Sequence, residues 1–86
     1  MYGKRKRTYK ELQLIILKSL NKGNKTIYDI VKENKLHFHV VEHQLILLKG
    51  NDHVILSFKH KRFKLFELTS KGSKYLRQLK NVSKKN

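Results

Sequence analysis

The sequence predicts a mainly helical α+β domain with elements in the order helix, helix, helix, β-hairpin, helix. Three observations carry this. Apolar residues recur at helical spacing in three successive stretches up to Leu48, two β-rich runs follow at residues 53–59 and 63–69, and a further helical stretch contains Tyr75, Leu76, Leu79 and Val82.

Thr8 followed three residues later by Glu11 makes a capping box, in which hydroxyl and carboxylate satisfy reciprocal backbone donors. The first helix is therefore expected over residues 9–22, ending at Gly23. Leu12, Ile15, Ile16, Ser19 and Leu20 share a face and are expected in the core. Leu14 and Leu17 fall on the other side, and a second copy of the chain is the simplest cover for such a strip. Leu14 and Leu17, with Leu76, Leu79 and Val82 of the last helix, are thus the expected homodimer interface.

Thr26 with Asp29 repeats the capping box and starts a second, short helix with Ile27, Ile30 and Val31 inward. Asn34 stands where the chain must turn sharply and is the residue expected in a left-handed conformation. A third helix, about 37–49, carries Leu36, Val41, Leu45 and Leu48 inward and stops at Lys49, Gly50 and Asn51. The two β-rich runs are joined by His60, Lys61 and Arg62; without Gly or Asn there, a tight two-residue turn is not expected. Thr69 or Ser70 starts the last helix. Residues 1–7 form a basic arm, 8–82 the domain, and 83–86 a fraying tail.

The 86 residues, 38% of them hydrophobic, suit one domain. Against 21 Lys and Arg stand 6 Asp and Glu, a formal charge of +15, so the chain repels itself and calls for a polyanion. Nucleic acid fits first, an anionic membrane surface second. The longest apolar runs, 14–17 and 45–48, are too short to span a bilayer, and no apolar signal region opens the chain, so a soluble cytoplasmic protein is expected. With no cysteine, disulfides, thiolate zinc sites and thiol nucleophiles are excluded together. No catalytic Ser-His-Asp spacing, glycine-rich phosphate loop or paired-carboxylate motif occurs. Glu11, Asp29, Glu33, Glu42, Asp52 and Glu67 all have helix, turn or strand explanations, so no enzyme is expected.

A short helix, a tight turn and a helix with Leu36, Val41, Leu45 and Leu48, followed by a hairpin, resembles the winged helix-turn-helix regulators. The run from Phe66 to Leu76, and Leu68, Thr69 and Gly72 above all, is similar to the wing-to-final-helix segment of the multiple-antibiotic-resistance-type, phenolic-acid-type and small archaeal or archaeal-viral members. Unlike many of these, the sequence shows no long C-terminal coiled-coil helix or effector domain.

The resemblance implies a homodimeric transcriptional regulator of double-stranded DNA, with the third helix in the major groove. On that helix His39, Glu42, His43 and Ile46 point outward, and His37, Phe38, Val40 and Gln44 lie near its entrance. Gln44 suits adenine, the histidines guanine N7 or phosphate, Val40 a thymine methyl, and Glu42 a cytosine amine; Phe38 fits core packing better. Lys59, His60, Lys61, Arg62 and Lys64 cluster at the wing, for backbone or minor-groove contact. Lys25, Tyr28, Lys32 and Lys35 add flanking contacts, and Lys4, Arg5, Lys6 and Arg7 form an arm for phosphates or the minor groove.

Other readings stay open. His39 and His43, one helical turn apart, have zinc-ligand spacing with His53 or His60 as a third donor, but the spacing is common on surfaces and no metal or cofactor is expected. The same histidines allow pH-dependent DNA affinity. The same charge would serve RNA or sequence-independent binding by phosphate neutralisation without base readout; an RNA-recognition sheet would need exposed strand aromatics, which Phe58, Phe63 and Phe66 supply only if they lie outside the core, and Phe66 is expected inside. A winged helix that binds only protein leaves the charge unexplained.

Overall fold

The computed structural model describes residues 8–84, with side chains described through residue 81. The arm residues Lys4, Arg5, Lys6 and Arg7, and the side chain of Val82, lie outside that description.

Helix α1 (Tyr9–Asn21) starts at the Thr8–Glu11 capping box and α2 (Ile27–Asn34) at the Thr26–Asp29 box; in both, side chain and backbone bond reciprocally. Lys35, not Asn34, takes the left-handed turn, with φ of 53°. Asn34 is the last residue of α2, and its side-chain amide donates to the Ile30 carbonyl, closing the helix end from within. The turn passes to α3 (Phe38–Gly50), capped by His37 without a side-chain bond.

Strands β1 (Val54–His60) and β2 (Phe63–Leu68) form an antiparallel hairpin whose last pair is His60 with Phe63. The turn is therefore the two-residue turn that the missing Gly or Asn spoke against. Lys61 takes the required positive φ, 55°, at a cost of about 1–2 kcal/mol. Cross-strand pairing and the right-handed twist of the two strands offset it. On the other edge of β2, Lys25, just before α2, forms an isolated antiparallel bridge to Phe66 through two backbone hydrogen bonds, at 3.1 and 2.8 Å. Helix α4 (Ser70–Lys84) follows.

Leu17, Leu20, Ile16 and Ile30 pack with Val41, Leu45, Leu48, Val54, Phe66, Leu76 and Leu79 in one core. Leu17, Leu76 and Leu79 are thus core residues of one chain, not a surface strip for a partner, and Leu14 is partly buried against the same core. The buried face of α1 is Gln13, Ile16, Leu17 and Leu20 with Ser19; Leu12 and Ile15, expected inside, are only partly buried and outside that cluster. The residue that turns the helix is Gln13. Buried to 2% exposure, its amide donates to Gln44 Oε1 at 3.1 Å, and Tyr75 donates to Gln13 Oε1 at 2.6 Å. A polar residue in the middle of the core face hides that face from a hydrophobicity pattern.

A clasp joins the base of the hairpin to α4. The Thr69 hydroxyl donates to the Asp52 carbonyl at 2.6 Å and accepts from the Gly72 N–H at 2.9 Å, capping α4. The Thr69 N–H bonds the His53 carbonyl. A Cβ on Gly72 would lie 1.9 Å from that same carbonyl oxygen, so only glycine lets α4 approach the hairpin this closely. The His53 ring stacks on Tyr75, centroids 4.3 Å apart, with Nδ1 buried and without a hydrogen-bond partner among the described residues. Desolvation first, and Lys71 second, hold its pKa below the ordinary 6.5, against an opposing pull from Asp52.

The clasp can be tested at two of its residues. Gly72→Ala is expected to destabilise the domain by about 3 kcal/mol or more in urea denaturation, while Gly50→Ala, with open space around its Cβ, stays within about 0.5 kcal/mol. His53 with a lowered folded pKa binds its proton more readily when unfolded. Its contribution is therefore present above about pH 6.5 and is lost as pH falls from there towards the folded value. Thermal melts from pH 8 to 5 are expected to show a decline that is shallower in His53→Phe; an identical decline in both proteins overturns the assignment.

Candidate nucleic-acid interface

On α3, Val41, Gln44, Leu45 and Leu48 face the core. The opposite face then follows from helical geometry: His39, His43 and Ile46 are exposed, Ile46 to 63%, with Glu42 half-buried at their side. His37 is exposed at the entrance, and Val40 and Phe38 are partly buried. Gln44 departs from its expected place among the base-reading residues. It is 5% exposed and is held by Gln13, whose amide N–H donates to the Gln44 side-chain oxygen in the core.

His39 Nδ1 lies 3.7 Å from a Glu42 oxygen, a contact that strengthens when the imidazole is protonated. Among the described residues, no three His, Cys, Asp or Glu side chains come together as a metal site. His53 is committed to its stack on Tyr75.

Lys59, His60, Lys61, Arg62 and Lys64 are all exposed at the hairpin tip, and among the described residues no carboxylate forms an ion pair with any of them. Between the tip and α3 runs an open groove of about 690 Å³. Its walls include Tyr28, Phe38 and Glu42 on the helical side, and Lys61, Arg62 and Lys64 on the hairpin. Tyr28 is 67% exposed and packs on Phe38 with ring centroids 5.3 Å apart. Lys32 and Lys35 are exposed on the same helix-turn-helix.

Lys25 was expected to reach outward with them. Its side chain is only 17% exposed, and its Nζ lies 3.1 Å from Glu33, whose other oxygen accepts from Ser19 at 2.9 Å. Hydrogen bonds from Lys25 first, then Ser19, draw the Glu33 pKa below its ordinary value. Lys25 is an internal link between α2 and the loop before it, not a free cation. The backbone bridge to Phe66 places it there, a long-range contact that no local pattern announces.

Three helices, a helix-turn-helix whose second helix bares one face, and a basic hairpin beside that face define a winged helix-turn-helix. The chain belongs to the winged helix-turn-helix family, whose model matches residues 6–86. Solved structures agree in fold. A transcriptional regulator from Clostridium thermocellum superposes with a TM-score of 0.78 at 18% identity, over 85% of this chain and 80% of that one. The regulator BldR from Sulfolobus solfataricus gives 0.78 at 19% identity, over 85% of this chain and 54% of its own. BpsR from Bordetella bronchiseptica, whose DNA binding is regulated by 6-hydroxynicotinic acid, gives 0.76 at 22% identity, over 85% and 53%. The chain thus spans about half the length of the latter two. No curated protein sequence matches it. Among the described residues, no helix is long and apolar enough to cross a membrane.

The Gln13–Gln44–Tyr75 network is expected to be worth more than its area. Gln44→Ala leaves the buried Gln13 NH2 without its acceptor and is expected to cost about 2 kcal/mol in denaturant unfolding. In a double-mutant cycle with Gln13→Ala the two losses are expected to couple by about 1 kcal/mol; strict additivity would show that the contact contributes nothing.

Proposed function

We propose that the protein is a sequence-specific regulator of transcription that binds double-stranded DNA as a homodimer, with α3 in the major groove and the hairpin wing on the backbone or in the adjacent minor groove. The observation that carries this reading is a groove with Tyr28, Phe38 and Glu42 of the helix-turn-helix on one wall and Lys61, Arg62 and Lys64 of the hairpin on the other, on a protein whose α3 also exposes His39, His43 and Ile46. A row without Lys or Arg suits base edges, and a cationic tip suits phosphate. Arg62 is the favoured minor-groove residue, and Tyr28, Lys32 and Lys35 add contacts from the helix-turn-helix. The DNA binding named for BpsR supports the same reading. Nothing in it requires catalysis, a metal or a cofactor.

The homodimer draws on surface other than the leucines that the core has taken. Leu12 and Ile15 of α1 remain partly exposed, and a second copy would cover them.

Selection of duplexes from random-sequence DNA at roughly 200 mM salt, followed by sequencing, tests the proposal. Related half-sites about 10 base pairs apart are expected, bound by two chains. Salt-sensitive retention without any enriched sequence would replace this reading with that of a sequence-independent binder. Replacing Lys61 and Arg62 together by Ala is expected to lower the slope of log affinity against log salt by about 1.8, while His43→Ala alters base preference at one position of each half-site and leaves the slope unchanged.

A further inference from the structure

The face of the hairpin turned away from the core is aromatic. On β2, Phe66 and Leu68 point inward, so Phe63, Leu65 and Glu67 point outward. On β1, Val54 and Leu56 pair with Leu68 and Phe66 on the inner side. Simple alternation would put Phe58 on that side too. Instead the register shifts between Leu56 and Phe58, so that Ser57 is an extra residue and Phe58 pairs with Leu65 on the outer side. The bulge is held in place by the Ser57 hydroxyl, which donates to the Leu65 carbonyl at 3.2 Å. Its effect is to carry a phenylalanine from the inner to the outer face. There Phe58 and Phe63 lie 5.8 Å apart, nearly edge to face, at 51% and 49% exposure.

Scattered apolar residues on a surface need no explanation. Two neighbouring aromatic rings, brought together by a bulge beside a cationic turn, do. His60 shares their face, and Lys61 and Arg62 form the turn beside them. We propose that this outer face is a second nucleic-acid site, which takes unpaired bases of a single strand by stacking on Phe58 and Phe63 while the tip cations hold its phosphates. The chemistry of the occupant follows from both halves of the surface. It is anionic, to match side chains that no carboxylate among the described residues neutralises, and it offers flat aromatic faces; a single strand has both, whereas a duplex hides its base faces within the stack. A second copy of the chain would bring the same cations to the same place. Phe63 also borders the groove facing α3, so the two surfaces are continuous and a locally melted strand leaving the groove passes onto the rings.

The test uses the full chain, a labelled oligothymidine strand and a labelled duplex, read by fluorescence anisotropy. Phe58→Ala is expected to weaken single-strand binding about tenfold. It leaves duplex affinity within about twofold, since Phe58 lies outside the groove. The chain contains no Trp. Phe58→Trp therefore places a lone fluorophore at the site; it is expected to retain single-strand affinity and to be quenched by oligothymidine but not by duplex. Unchanged single-strand affinity in Phe58→Ala, or an indole signal in Phe58→Trp that stays unquenched on saturation, overturns the site. A variant that instead dissociates a dimer in sedimentation assigns the face to contacts between copies and also overturns it. Loss of duplex binding by the unmodified protein with single-strand binding intact would defeat the major-groove reading and leave this one standing.

Discussion

The rotation of α3 about its own axis decides which side chains reach a ligand, and one buried hydrogen bond does most to set it. Apolar residues lie almost all round this helix: Val41, Leu45 and Leu48 face the core, yet Val40, Ile46 and Leu47 lie elsewhere on its circumference. Burial of apolar area is non-directional, and a modest turn of the helix would exchange one set of methyl groups for another at little cost. The Gln13–Gln44 bond is directional. Turning α3 away from it would strand two buried amides, at about 1–3 kcal/mol each, a penalty that no exchange of leucine for isoleucine recovers. With Gln44 fixed inward, His39, His43 and Ile46 are fixed outward. Tyr75 completes the chain of bonds and ties that rotation to α4.

The wing is placed by a separate set of backbone contacts. His53 N–H reaches back to the Leu48 carbonyl at the end of α3, Lys25 and Phe66 pair across the start of α2, and Thr69 and Gly72 draw α4 onto the hairpin base. Each anchor lies at the core end of the hairpin. The tip, from Lys59 to Lys64, projects beyond them. The base of the wing is therefore registered against α3, and Lys61, Arg62 and Lys64 sit across the groove from that helix, with long side chains that can adjust.

What the sequence made legible is what short-range chemistry decides. Both capping boxes, the order of elements, the inward stripe of α3 and the start of α4 depend on residues three or four apart, and all are found. The misread features depend on partners far along the chain. Gln13 and Gln44 look like surface residues until each supplies the other's hydrogen bond, and once Gln13 is inside, Leu17 enters the core with it and Leu12 and Ile15 move to its margin. Leu76 and Leu79 had to be either core or interface, and an amphipathic pattern alone does not distinguish a chain's own core from a partner's. Lys25 was a cation among many until the bridge to Phe66 set it beside Glu33. The bulge at Ser57 left no compositional mark. Only the paired register reveals that Phe58 changes sides.

Five of the six acids show how the charge is divided. Glu11 and Asp29 close capping boxes, Glu33 holds Lys25 and Ser19, and Asp52 occupies a left-handed turn with φ of 63° while its carbonyl receives Thr69. These structural uses leave the wing cations without ion-pair partners among the described residues. Glu42 is the carboxylate that borders the groove, on a helix with no Lys or Arg before Lys49. A carboxylate there repels phosphate and draws nothing from a polyanion at long range. In the proposed complex, attraction must therefore come from the wing and its flanks, where counterion release is independent of sequence. That leaves α3 to act by difference: its histidines accept or donate according to the base they meet, and Glu42 penalises any base edge that cannot offer it a donor. In that proposed complex, affinity and discrimination fall on separate elements, on either side of the groove between helix and wing.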